Sequence, residues 1–297
     1  VIRTPYGGLN NALSVGGLRR GTMTVIASQD RNYKLGLLLD LYLGCGMANK
    51  PHLIDGTKKP TILHISLLAN KGEHAESLLN RLSQLKPEIT DKHEALSSIN
   101  VNGFNNLAIY PVYEDELTLE RLFMYIREKE DKHEFILVTI DDISRIKRTD
   151  ENGKTRSLSE TYVAMREFFA KRGTAVVTTA EFNDAVEEYR KRYPHNYLKL
   201  VSKDLPIYGV NPEFNAAGVH NNGEDEFPRL GLYVDTELFI SLEAQDDQPI
   251  IKMCIGKNRG VVSTDTEVNY KYDEDIGMAF DFDGKCKADI DTTSKDS

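Results

Sequence analysis

Two residues of this sequence are best placed to do chemistry: Lys34, which opens an apolar helix, and Asp141, which ends an apolar strand. Such a pair serves phosphate and its counter-ion, the lysine and backbone N–H groups facing the anion and a strand-end carboxylate facing a divalent cation. Lys34 lies in Ser28-Gln29-Asp30-Arg31-Asn32-Tyr33-Lys34-Leu35. That run has the length of the phosphate-cradling pattern G-x-x-x-x-G-K-[ST], with only the lysine in register. Ser28 and Tyr33 stand where glycines would let the backbone take positive φ and close on the anion, so each adds a Cβ to the cradle. Leu35 stands where a hydroxyl would hold Mg²⁺, and it has no oxygen to offer. A phosphate contact and an ordinary surface lysine at a helix start are both open readings of Lys34.

The elements that position these residues follow from periodicity. Residues 22–27 are β-branched and apolar, introduced by Gly21, and predict a short buried strand. From about Asn32 the run Leu35, Leu38, Leu39, Leu41, Tyr42 and Leu43 predicts a buried helix. Strands are expected at 60–66, 107–112, 135–140 and 174–179, with helices at 73–85, 117–128 and 157–171 between them. Pro111 marks the third of these strands as an edge or a strand end. Residues 135–140 are the clearest buried strand and lead into Asp141-Asp142. A carboxylate there is the metal-holding arrangement that follows a phosphate loop; a turn cap and a solvated strand end are the plainer readings. Strand–helix repetition from 22 to 179 implies an α/β fold, a largely parallel sheet with helices on both faces. Residues 193–228, rich in Pro, Asn and Gly, are too long for a mere connection. Three further strands are expected at 238–242, 250–255 and 267–272, the last two as antiparallel neighbours.

Composition bounds the rest. At 297 residues, 40% hydrophobic and 28% charged, the chain has the make-up of a soluble α/β protein. No apolar run reaches the ~18 residues of a membrane span, and nothing near Val1 reads as a signal peptide, so a cytoplasmic protein is expected. Cys45, Cys254 and Cys286 lack metal-ligand spacing and are expected to fill space in a reducing compartment. The net charge of −9 excludes a broadly basic nucleic-acid surface, not a local channel. Residues 273–297 hold eight acids against three lysines and are expected to form a disordered, solubilising tail, with partner binding as the sharper alternative.

The order of short motifs resembles a known family. Thr4-Pro5-Tyr6-Gly7-Gly8-Leu9-Asn10, Gly16-Gly17-Leu18-Arg19-Arg20-Gly21 and Thr24-Val25-Ile26-Ala27 are similar to the start of the RecA-like motor domain of DnaB-type hexameric replicative helicases, especially T-even phage relatives. His64-Ile65-Ser66-Leu67, Ile140-Asp141-Asp142, Thr178-Thr179-Ala180-Glu181-Phe182-Asn183 and Ile255-Gly256-Lys257-Asn258-Arg259-Gly260 continue the series in the family's order. The resemblance implies a RecA-like three-layer domain over 1–272, with 1–21 as its lead-in. It also implies a mainly parallel central sheet flanked by helices, with antiparallel strands at the C-terminal end. Lys34 would then meet the β- and γ-phosphates of ATP, within a nucleotide loop running from Ser28 through Gln29, Asp30, Arg31, Asn32 and Tyr33 to Leu35. Asp141 would hold Mg²⁺ through water, and Glu181 would sit at the polar sensor position. Lys257 and Arg259 would reach a neighbouring subunit's γ-phosphate, a charged hairpin end being the plain alternative. Lys199, Lys203 and Arg229 would face single-stranded DNA, and the partners would be that DNA and copies of this or a related helicase subunit in a ring.

Departures from the family pattern bear on activity. Leu68 stands where a catalytic Glu would polarise the attacking water, with Glu73 or Glu76 as substitutes only if the alignment slips. Glu181 puts an anion where a γ-phosphate contact belongs. ATP and Mg²⁺ are thus implied by the resemblance and disfavoured by Ser28, Tyr33, Leu35, Leu68 and Glu181. Three functions stay open: a phage-type replicative helicase domain with weak or lost ATP hydrolysis, working in a bacterial host's cytoplasm; a non-catalytic RecA-fold subunit binding DNA or an active helicase; and a recombinase-like filament protein.

Overall fold

The structure is a computed structural model. It describes residues 1–13, 15–28, 31–50, 53, 56–67, 70–85, 91, 99–101, 103–110, 117–149, 153–181, 190–193, 234–245, 248–258, 267–273 and 278–281. The chain begins with helix α1 (Gly7–Ala12), then β1 (Met23–Ser28), α2 (Arg31–Ala48), β2 (Lys59–Ile65) and α3 (Lys71–Leu85). Next come β3 (Ile99–Val101), β4 (Phe104–Ile109), α4 (Leu119–Lys129), β5 (His133–Ile140), α5 (Leu158–Ala170) and β6 (Ala175–Glu181). The strands β7 (Thr236–Gln245), β8 (Gln248–Asn258), β9 (Glu267–Asp273) and β10 (Met278–Asp281) complete the described chain.

Among the described residues the strands form one ten-stranded sheet in the order β10-β9-β8-β7-β1-β6-β5-β2-β4-β3. From β7 to β4 every pairing is parallel, whereas β7 to β10 are joined antiparallel. The expected fold is therefore borne out, including the antiparallel β8–β9 pair. Two strands escaped the sequence reading. β3 pairs antiparallel with β4 and covers its outer side, so β4 is not an edge; it ends at Ile109, short of Pro111. β10 pairs with β9 inside the stretch expected to be tail.

Period-2 alternation divides the core between the two faces. Met23, Val25 and Ala27 of β1 join α4 and α5 through Leu122, Ile126, Tyr162 and Phe169. Ile26 joins the opposite cluster with Leu38, Leu41 and Leu78 of α2 and α3. Leu9, Leu13 and Leu18 of the lead-in pack into that second cluster as expected. The lead-in is tied down by paired backbone bonds between Ile2 and Leu18 of 2.7 and 2.8 Å. Gly17 permits this, because a Cβ there would stand 2.4 Å from the Ile2 carbonyl oxygen. Local signals place the helix starts: Ser157 and Glu160 form a reciprocal capping box on α5, and Thr118 caps α4.

β7 and β8 meet most closely at Gly256, where an added Cβ would lie 1.8 Å from a ring carbon of the buried Phe239. Gly256→Ala is expected to cost about 1–3 kcal/mol by overpacking. Chemical denaturation would read the loss, and Phe239→Leu in the same chain should recover part of it.

Candidate functional site

The carboxyl ends of β1, β6, β5 and β2 lie side by side, at the edge where parallel sheets of this kind place their ligands. Lys34, in the first turn of α2, is only 3% exposed. Its Nζ donates to the Ala180 carbonyl at the end of β6, 3.2 Å away. The surface-lysine reading is thereby overturned: helix α2 begins directly over the strand ends and carries the ammonium inward. Ser28, at the end of β1 and opposite Glu181 in register, is 1% exposed. Leu35 packs against the α2–α3 cluster instead of facing a ligand. Side chains of Arg31, Asn32, Tyr33, Glu181 and Lys257 lie outside the described residues, as do Gln29, Asp30, Leu68, Lys199, Lys203, Arg229 and Arg259 altogether. Lys257 is placed by its backbone alone, paired with Glu237 of β7.

Asp141 and Asp142 divide the readings between them. Asp142 is the turn cap: its carboxylate accepts from Ser144 N at 2.9 Å, at a φ of 114° that a non-glycine residue rarely adopts. Thr178 of β6 supports the same turn by accepting from Ile143 N at 3.2 Å. Asp141 is 1% exposed, which excludes a solvated strand end. Its carboxylate is turned to the end of β2, accepting from the Ser66 hydroxyl at 2.7 Å and from the Leu67 backbone N–H. Its own N–H donates to the Ile65 carbonyl at 3.1 Å, extending the β5–β2 pairing by one residue.

The structure brings to Asp141 two residues whose chemistry the sequence reading missed. His64, on β2, and His74, on α3, are both fully buried. Their Nε2 atoms are 3.0 Å apart and their rings are stacked with centroids 5.1 Å apart. The far nitrogen of His64 lies 2.8 Å from the Thr139 hydroxyl of β5. The far nitrogen of His74 lies 3.4 Å from the Ser66 hydroxyl. One ligand atom from each of His64, His74 and Asp141 fits within 4.8 Å of the others. Tyr110 packs edge-on to His74 at 5.4 Å, and its buried hydroxyl has no hydrogen-bond partner among the described residues. Burial and, secondarily, the Asp141 charge push its phenol up to about 12. A signal was available: His74 falls on the inward stripe of α3 with Leu78 and Leu82, and His64 interrupts an apolar strand. Glu73, offered as a stand-in for the missing Glu, is exposed and caps α3 by exchanging backbone bonds with Asn70. Glu76 is also exposed.

Burial, reinforced by the neighbouring His74, holds the His64 pKa well below its ordinary 6.5. The unfolded chain takes up that proton near 6.5 and the folded chain only at lower pH. The stability present above 6.5 is therefore lost as pH falls below it, by up to about 1.4 kcal/mol per pH unit. The half-exposed His133 is shifted the same way by desolvation and by Lys59, Lys129 and Lys132. Urea midpoints of the metal-free protein should fall between pH 7.5 and 5.5; a level profile would refute the assignment.

The residues present fit the family's two ligands unequally. A buried ammonium at the strand ends suits phosphate. Mg²⁺ held by a loop hydroxyl does not fit, since Leu35 supplies carbon and packs into the core. The side chains arrayed with Asp141 are imidazoles, poor partners for a hard cation.

A mostly parallel sheet with helices on both faces, antiparallel strands on one flank and this strand-end site define the class: a RecA-like α/β domain. A family profile described as Divergent DnaB-like ATPase matches residues 1–205. The chain belongs to that family. Among solved structures it is similar to the isolated ATPase domain of a DnaB-type helicase at 12% identity and a TM-score of 0.60, covering 94% of this chain and 92% of that one. It is also similar to a DnaB-like replicative helicase solved for its interactions with primase, at 11% identity and a TM-score of 0.61, covering 94% of this chain and 63% of that one. The flagellar accessory protein FlaH from Methanocaldococcus jannaschii matches at 12% identity and a TM-score of 0.50, over 91% and 92% of the two chains. No curated protein matches. No helix among the described residues is long and apolar enough to cross a membrane.

Proposed function

We propose that this chain is a helicase-like RecA-fold domain that acts on single-stranded DNA in replication and hydrolyses ATP slowly or not at all. The observation that carries the reading is Asp141: buried, bonded to the end of β2 and arrayed with two histidines, while Leu35 removes the other Mg²⁺ ligand. Family membership and the buried Lys34 support a retained phosphate contact. Loss of the general base at Leu68 and of the Mg²⁺ hydroxyl together removes at least several kcal/mol of transition-state stabilisation. The channel cations would be Lys199, Lys203 and Arg229. The domain would work in the cytoplasm of a bacterial host, the chain being phage-encoded, as a ring of its own copies or with a related helicase subunit.

The test is titration of the purified chain with a fluorescent ATP analogue, with and without Mg²⁺ and single-stranded DNA, alongside turnover. Binding of DNA with turnover under roughly 10⁻² s⁻¹, some 10³-fold below a median enzyme, is expected. Robust DNA-stimulated hydrolysis would overturn the slow-or-absent part, and failure to bind single-stranded DNA at low salt would overturn the DNA part. The turn of Asp141 toward β2 also favours a second reading, a non-catalytic subunit that completes a neighbour's site through Arg259. In a mixed assembly Arg259→Ala should then lower the partner's turnover; unchanged turnover would dispose of that reading.

A further inference from the structure

We propose that His64, His74 and Asp141 form a binding site for a borderline divalent transition-metal ion of the Zn²⁺ or Co²⁺ class. The inference does not depend on whether the chain hydrolyses ATP. It starts from the hydroxyl protons around the two imidazoles. The Ser66 hydroxyl donates to Asp141 Oδ2 at 2.7 Å, and the Thr139 hydroxyl donates to the Leu63 carbonyl at 3.5 Å. With their own protons committed, both oxygens face the rings as acceptors. Each histidine therefore carries its proton on Nδ1, His64 toward Thr139 and His74 toward Ser66. That leaves two Nε2 lone pairs aimed at each other 3.0 Å apart in a fully buried setting. Such a contact is repulsive until a cation lies between the two nitrogens.

Three features make that cation a metal. The Asp141 carboxylate is a third convergent donor, with all three ligand atoms inside 4.8 Å. Each of its oxygens keeps acceptor capacity beyond its one bond to Ser66 or Leu67. A tetrahedral site with ligands at 2.0–2.1 Å needs them roughly 3.3 Å apart, so a small inward movement of Asp141 completes the set. The hydroxyls on both Nδ1 atoms are the outer partners that metal-bound histidines ordinarily have, fixing ring and tautomer. The ligands come from β2, α3 and the end of β5, so the ion would tie three elements together beside the strand-end site. The orphan Tyr110 hydroxyl next to His74 is a donor for whatever fills the fourth position. Two imidazoles and one carboxylate select Zn²⁺ or Co²⁺ over Mg²⁺.

Full-length protein, stripped with chelator and then titrated with Co²⁺ or Zn²⁺ against a chromophoric competitor, should take up one ion per chain that excess Mg²⁺ does not displace. The Co²⁺ form should show the intense visible bands of a four- or five-coordinate site. His64→Gln and His74→Gln should each weaken uptake at least 100-fold, Ser66→Ala about 10- to 100-fold, and His133→Gln not at all. If the ligand variants do not fold, wild-type protein labelled with ¹⁵N-histidine decides: Zn²⁺ should shift two Nε2 resonances while both Nδ1 stay protonated. Absence of stoichiometric uptake, uptake that survives the double His64→Gln/His74→Gln change, or histidine resonances unmoved by Zn²⁺ would overturn the proposal.

Discussion

Arg81→Met should destabilise this protein by about 3–5 kcal/mol, the largest single effect expected outside the strand-end site. Arg81 of α3 and Asp40 of α2 are 4% and 2% exposed, with Arg81 Nε 3.0 Å from Asp40 Oδ1. The Tyr6 hydroxyl donates to the other oxygen at 2.7 Å, so the carboxylate joins the lead-in, α2 and α3. Tyr6 in turn packs on Tyr270 of β9, whose hydroxyl accepts from Leu9 N at 2.7 Å. Methionine keeps the volume of the arginine stem and removes its charge, leaving a buried carboxylate without its counter-ion. Burial and the Asp40 charge already hold the Tyr6 phenol well above its ordinary range, so it stays a neutral donor and supplies no positive charge. The pair itself need not stabilise the fold, because desolvation offsets its attraction. Asp40→Leu placed on Arg81→Met should therefore recover at least half of the loss. Equilibrium denaturation of the four chains closes the cycle, and strict additivity would refute the coupling.

Asp235→Ala is expected to cost about 2–4 kcal/mol, for a different reason. Asp235 precedes β7 and takes the place of one more strand residue beside β1. Its N–H donates to the Met23 carbonyl at 2.8 Å, and its carboxylate accepts from Met23 N at 3.0 Å. Arg166 of α5 grips the same carboxylate through two nitrogens at 2.7 and 3.1 Å. Alanine leaves a buried N–H at the start of β1 without its acceptor and forfeits both charge-assisted bonds. Asparagine keeps an acceptor for Met23 and should lose roughly half as much. Because β1 leads directly to Lys34, amide exchange at Met23 to Val25 should rise with the alanine change. Unchanged exchange would show that the neighbouring strands hold β1 without this anchor.

Local pattern made much of the architecture legible. Runs such as 135–140 are apolar throughout because parallel strands covered on both faces have no solvent side. α3 and α4 show inward stripes because each has one packed face. Chain order alone then implied a parallel sheet, helices on both faces and the placement of Lys34 and Asp141 at strand ends. β3 was missed because three residues are too few to carry a period, and β10 because acidic neighbours mask its Met278-Ala279-Phe280 core.

What the sequence by itself determined is the α/β repeat, the RecA-like order of motifs and the loss of glycine, hydroxyl and carboxylate at the family's nucleotide positions. Those are properties of residue type and short-range spacing. Only the tertiary structure decided where the buried polar groups meet. His64 and His74 face each other because the first turn of α3 folds back over the end of β2, and the Thr139 and Ser66 hydroxyls that orient the rings come from separate places in the chain. Asp40 finds Arg81 across a helix pair by the same logic. A lone polar residue in an apolar run has no local partner to announce its role. Its meaning is set by the groups that burial forces it to satisfy, and those are chosen by packing.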